Sequence, residues 1–157
     1  TINFPTPQPK AKYAKKRLVH VDHLMLYRPL FSAGATVTLR TDSKPLRDYA
    51  LGQFAAAGYD ALWVSDDVRR DHPEHPETEY ECRTREMGAV VYGICATPGA
   101  EPTEEQLAAG RAQEQSLACY LPDDLDELAY VPLGMEEAVE NFKNRARKGK
   151  KRLPQER

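Results

Sequence analysis

All four histidines of this chain fall in two H-x-x-H pairs, His20 and His23 in "HVDH" and His72 and His75 in "HPEH". Imidazoles at short spacing are good zinc ligands, and the neighbouring Asp66, Asp67 and Asp71 could add oxygens, the donor set of a metal-dependent hydrolase. Neither pair is organised for that on sequence grounds. The stretch "RLVHVDHLMLY" is rich in β-branched and apolar residues and predicts a strand, which would send His20 and His23 to opposite faces. His72 and His75 lie among prolines in a charged loop. No metal site is therefore assigned, with His20, His72 and His75 as the candidate ligands were one to exist. "WVSDD" puts Ser65, Asp66 and Asp67 at the exit of a predicted strand, where catalytic carboxylates often sit but where the same residues are ordinary turn formers. No G-x-S-x-G elbow, phosphate-binding glycine loop or dinucleotide fingerprint occurs, so no cofactor is expected and no small-molecule substrate is identified.

Charge is the more informative pattern. The chain of 157 residues has a net charge of -2, yet residues 1–17 carry five basic groups and no acid, and residues 143–157 carry eight basic groups and one acid. Residues 18–142 hold nine basic and 23 acidic residues. An acidic body with two basic ends suits docking on an anionic partner. The candidate binding residues are Lys10, Lys12, Lys15, Lys16 and Arg17 at one end, and Lys143, Arg145, Arg147, Lys148, Lys150, Lys151 and Arg152 at the other.

The elements that must position these groups read as follows. Residues 1–16, with Pro5, Pro7 and Pro9, have little to bury and are expected as an extended arm. "ATVTLRT" predicts a strand with Val37 and Leu39 on one face. "TDSKPLRDYALGQFAAAGY" predicts a helix capped by Ser43, with Pro45 in its first turn and Gly58 as its stop. "DALWVSDD" predicts a strand, "YECRTREMGAVVYGICA" a long strand or hairpin, and "TEEQLAAGRAQEQSLACYL" a helix beginning at Thr103. "DELAYVPLG" predicts a short edge strand. The last helix, "MEEAVENFKNRARK", has Met135, Ala138, Val139, Phe142 and Ala146 on one stripe.

The order strand, helix, strand, strand, helix, strand is that of an α+β, ferredoxin-like (split βαβ) sandwich. An extra N-terminal strand, a C-terminal helix and flanking basic extended arms would complete it. The expected division is an arm over 1–16, a body over 17–142 and a basic arm over 143–157. "REMGAVVY" (Arg85–Tyr92) has Met87 and Ala89 where an RNA recognition motif carries its stacking aromatics, so that family is not assigned. Cys82, Cys95 and Cys119 lack CxxC spacing and are expected as reduced thiols. No apolar run is long enough to span a bilayer, and an intracellular place is expected, mitochondrial matrix or cytoplasm.

Together these features predict a non-enzymatic structural subunit of a large assembly. A ribonucleoprotein such as a mitochondrial ribosome, with RNA as the partner of the basic arms, is the expected setting. The alternatives are an accessory subunit of a protein-only complex, respiratory or viral, and a metal-dependent hydrolase built on the H-x-x-H pairs.

Overall fold

The computed structural model describes residues 1–125 and 128–150. Its best-marked unit lies in the middle of the chain. Val37 and Leu39 alternate with Thr38 and Arg40 in strand β2 (Val37–Thr41), and all of them are buried because the sheet is covered on both faces there. The Ser43 hydroxyl accepts from the Leu46 amide at 3.3 Å and starts helix α2 (Lys44–Ala56), with Pro45 in the first turn, where its missing N–H costs nothing. Gly58, at φ 70°, follows the helix; a side chain there would run into the Ala100 carbonyl at 2.4 Å. Strand β3 (Tyr59–Ser65) comes next. Leu46, Tyr49 and Phe54 of α2 pack on Leu39 of β2 and on Ile94 to form the core.

Four strands make one mixed sheet in the order β1-β2-β4-β3, with β1 as Ile2–Asn3 and β4 as Tyr92–Pro98. β1 runs parallel to β2, while β4 is antiparallel to both β2 and β3 and lies between them. Three strands thus point one way, with β4 reversed among them. Helices flank the sheet. α1 (Val21–Tyr27), α2 and α5 (Glu104–Ala112) lie towards the core, while α4 (Glu79–Glu86) reaches Arg40 from the opposite face. The short α3 (Val68–Asp71) follows β3, and α6 (Glu136–Lys150) ends the described chain.

This arrangement overturns the ferredoxin-like expectation. Residues 17–27 form no strand; Val21 and Leu24, three apart, face the core from α1 (Val21–Tyr27), and the β-branched content that suggested a strand is overridden by that packing. Glu79–Glu86 is a helix, capped by Thr78, acidic in its first turn and basic in its last. Gly88 at φ 89° closes it, with the Ala89 amide donating back to the Thr84 carbonyl at 3.0 Å, so the strand begins only at Tyr92. Residues 128–134 form no strand, and residues 126 and 127 of that segment lie outside the described residues. Nor is the basic N-terminal segment an extended arm: Ile2 and Asn3 pair with Leu39 and Arg40, and Ala11–Lys16 forms 3-10 helix. Among the described residues, no helix is long and apolar enough to cross a membrane.

Candidate functional site

In open sheets of this kind, ligands bind beyond the carboxyl ends of the parallel strands, where loops diverge and backbone groups are free. The ends of β1 and β2 lie side by side, and both are shaped by unusual local structure. After β2, the Ser43 amide donates to Thr41 Oγ1 at 3.0 Å, and the Ser43 side chain is committed to α2. Asp42 is left at the apex of this turn, 8% exposed. Its Oδ2 accepts from the hydroxyls of Tyr80, at 2.9 Å, and Tyr130, at 2.8 Å. Burial, reinforced by the Asp42 charge, pushes the Tyr80 phenol up to about 12 and raises that of Tyr130 as well, so both stay protonated and donate. Oδ1 has no hydrogen-bond partner among the described residues. Asp42 lines a cleft of about 330 Å³ together with Lys44, Tyr92, Tyr120, Tyr130 and Met135, among others.

The loop after β1, "FPTPQPK", is held in a costly shape. Phe4 and Gln8 have φ of 46° and 51°, a region non-glycine residues rarely occupy. Phe4 still donates its amide to the Arg40 carbonyl at 2.7 Å, and its ring packs on Tyr80 with centroids 4.8 Å apart. Gln8 is fixed by Arg17. That guanidinium, 1% exposed, donates to the carbonyls of Pro7 at 3.1 Å, Gln8 at 2.8 Å and Gln115 at 2.7 Å, and lies over the Tyr49 ring at 4.4 Å. Backbone strain that the surroundings enforce tends to concentrate at functional sites.

Next to Tyr80 in α4, Glu81 is fully enclosed and pairs with Arg40 of β2 and, at 2.6 Å, with Arg69. This triad ties α3 and α4 to the sheet.

The residues expected from sequence are distributed unevenly. Lys12, Lys15 and Lys16 are exposed, and the Lys12 and Lys16 ammonium groups each lie 4.9 Å from the centre of the Tyr13 ring. Lys10 pairs with Glu137 of α6 at 2.9 Å. Lys10, Tyr13, Asn141, Phe142 and Arg145 line a cleft of about 570 Å³ between the N-terminal segment and α6. Lys143 and Arg147, also on α6, line a separate cleft with Asp123 and Asp124. Arg17, expected on the surface, is instead an interior brace. Lys151 and Arg152 lie outside the described residues, as do the side chains of Lys148 and Lys150.

His20 caps α1, its Nδ1 accepting from the Asp22 amide at 3.2 Å, and it is 2% exposed. Burial holds its pKa below the ordinary value and keeps it neutral for that role. His72 and His75 come together with Glu74, but His20 does not join them. Ser65, Asp66 and Asp67 serve the turn after β3. Asp67 caps α3 through the Arg69 and Arg70 amides, and Asp66 pairs with Arg47 at 2.5 Å. Asp42, Tyr80 and Tyr130 were missed. The strand-exit rule that singled out Asp66 applies equally to Asp42, but nothing local marks two tyrosines 38 and 88 residues away as its partners.

A parallel set of strands with one reversed strand, and a shaped site at their carboxyl ends, define an open α/β domain of the Rossmann-like kind found among methyltransferases. Residues 1–94 match the model of a family described as "Putative methyltransferase", and the chain belongs to that family. Its relatives include a protein named tRNA (guanine-N(7)-)-methyltransferase from Streptococcus equi subsp. zooepidemicus, 32% identical over 97 residues, which are 61% of this chain and 46% of that one. Proteins of the same name from Exiguobacterium sibiricum and Alkaliphilus oremlandii are 33% and 34% identical over 97 and 96 residues, again 46% of each relative. The chain spans about half the length of the curated relatives it matches. Membership of an enzyme family overturns the expected structural subunit, ribosomal or protein-only, and the metal-dependent hydrolase with it. The relatives are bacterial and lend no support to a mitochondrial setting.

Proposed function

We propose that this chain carries the base-binding part of a tRNA (guanine-N7)-methyltransferase, and that the Asp42 cleft receives the guanine. The observation that carries this is the carboxylate itself. Asp42 is nearly buried, is bound through one oxygen by neutral hydroxyls, and lines a small cleft whose apolar walls include Tyr92, Tyr120 and Tyr130. Guanine offers neighbouring N–H donors on its Watson–Crick edge to such an acceptor, while adenine would set a ring nitrogen against it. Held by that edge, the base would leave N7 on the far side. N7 bears a lone pair and no proton, so its methylation needs no general base. The ring becomes cationic, and a carboxylate with tyrosine faces nearby favours that charge.

A methyl donor of the S-adenosylmethionine type would supply the methyl group. At about 330 Å³ the cleft is near the bottom of the range of ligand pockets, roughly 300–1,000 Å³, and suits one planar base. That cleft by itself does not fit base and donor together.

The tRNA backbone would lie along the basic surface of Lys10, Lys12, Lys15, Lys16, Lys143, Arg145 and Arg147, with Tyr13 as a stacking face. Lys148, Lys150, Lys151 and Arg152 extend the same charge in sequence. A tRNA substrate would be met inside the cell.

The test is titration of the full chain with guanosine and adenosine monophosphates, followed by tyrosine NMR signals. Guanosine monophosphate should bind about tenfold or more tightly than the adenosine form, a preference that Asp42→Asn abolishes. Equal binding of the two nucleotides to the unaltered chain would refute the assignment.

A further inference from the structure

We propose that His72, Glu74 and His75 form a site for one divalent transition-metal ion of the zinc type, outside the Asp42 cleft. Each residue offers one ligand atom, and the three atoms lie within 4.8 Å of one another. Glu74 Oε1 is 3.4 Å from His72 Nδ1 and 3.9 Å from His75 Nε2. Ligand atoms around a tetrahedral zinc with bonds of about 2.0–2.1 Å stand roughly 3.3 Å apart, so small rotations of two side chains would close the site. Two imidazoles and a carboxylate with water in the fourth position are a common donor set for zinc.

The frame is already built. The His72 amide donates to the Val68 carbonyl at 2.8 Å and the His75 amide to the His72 carbonyl at 3.2 Å. Arg69 holds the His75 carbonyl at 2.8 Å, and Arg40 holds that of Pro76 at 2.7 Å. The His72 ring stacks on Trp63 of β3 with centroids 4.0 Å apart, and the His75 ring meets the same indole edge-on at 5.7 Å. The "HPEH" loop, which the sequence leaves without visible organisation, thus has both imidazoles oriented before any ion arrives. A bound ion would fasten the segment between α3 and α4 to the sheet. Because α4 carries Tyr80 to Asp42, the ion would also steady the hydrogen bond that holds Asp42, although the site stands whether or not the Asp42 cleft takes guanine.

Trp63 is the single tryptophan of the chain and so a built-in reporter. The experiment titrates the untagged full chain, stripped with chelator, with Co²⁺ and then Zn²⁺, following cobalt absorption and Trp63 emission. One equivalent of Co²⁺ should give the visible bands of a low-coordinate ion, with Trp63 emission changing in step and Zn²⁺ displacing the cobalt. Affinity should fall about tenfold or more in Glu74→Gln and in His75→Ala. Glu74 has an exposed side chain, so its variant keeps the fold and tests the ligand alone. The proposal is overturned if the unaltered chain binds no tighter than the His72→Ala/His75→Ala double variant. Binding that leaves Trp63 emission and the Glu74→Gln affinity unchanged overturns it equally.

Discussion

Asp42 and Glu81 are two enclosed carboxylates held by neighbouring positions of the same two elements. Tyr80 and Glu81 are consecutive on α4, and they engage Asp42 and Arg40 at the end of β2. Glu81 has no exposed surface and two guanidinium partners, so its charge is neutralised where it sits. Asp42 has only phenols, which satisfy one oxygen without cancelling the charge. The difference separates a carboxylate that fastens the fold from one that remains available to a ligand.

The sharpest way to break the comparison is to neutralise each carboxylate in turn. Glu81→Gln leaves Arg40 and Arg69 without a counter-charge and should cost about 3–5 kcal/mol, read as a fall of roughly 10 °C in the thermal midpoint. Asp42→Asn should move stability by no more than about 1 kcal/mol while removing guanine preference. A reversal of that order would show Asp42 to be the structural group. Tyr130→Phe takes one donor from Asp42 and should cost about 1 kcal/mol by denaturant melting. It should also weaken guanosine monophosphate less than Asp42→Asn does.

Smaller effects are expected from groups outside the pair. Lys143→Ala with Arg145→Ala should weaken tRNA binding without altering base preference, and should lower the slope of log affinity against log salt by about 2. His20 has the mildest effect. Its folded pKa lies below the ordinary value, about 6.5, because of burial, opposed by Asp22. Below that value the unfolded chain takes up the proton first, so the His20 contribution is complete above about pH 6.5 and lost as pH falls towards the depressed value. His20→Asn keeps a capping acceptor and should flatten the thermal midpoint between pH 7 and 5. An unchanged slope would remove His20 from the account.

Much of the fold was legible where signals are local. Ser43 and Pro45 start α2, Gly58 ends it, and Thr103 opens α5 with the reciprocal cap to Gln106. Of the stripe expected on α6, Val139 is buried, Ala138 and Phe142 are half-buried and Ala146 is exposed, while Met135, buried, stands just before the helix. The site was not legible. The strand-exit rule that applies to Asp66 applies equally to its carboxylate, whereas its tyrosines come from a helix and an irregular segment whose sequences both resemble strands.

The amino-acid order alone determined caps, stops, apolar stripes and the clustering of positive charge near both ends, because each depends on neighbours within a turn or two. The tertiary structure decided which charges count. It buried Arg17 among the carbonyls of Pro7, Gln8 and Gln115 while leaving Lys12 and Lys15 in water, although all three stand in one basic run. It inserted β4 between β2 and β3, and it brought Tyr130 to Asp42 across 88 residues. The physical reason is the same in each case: burial and long-range hydrogen bonding are properties of the packed chain, and a residue's type does not reveal what will surround it.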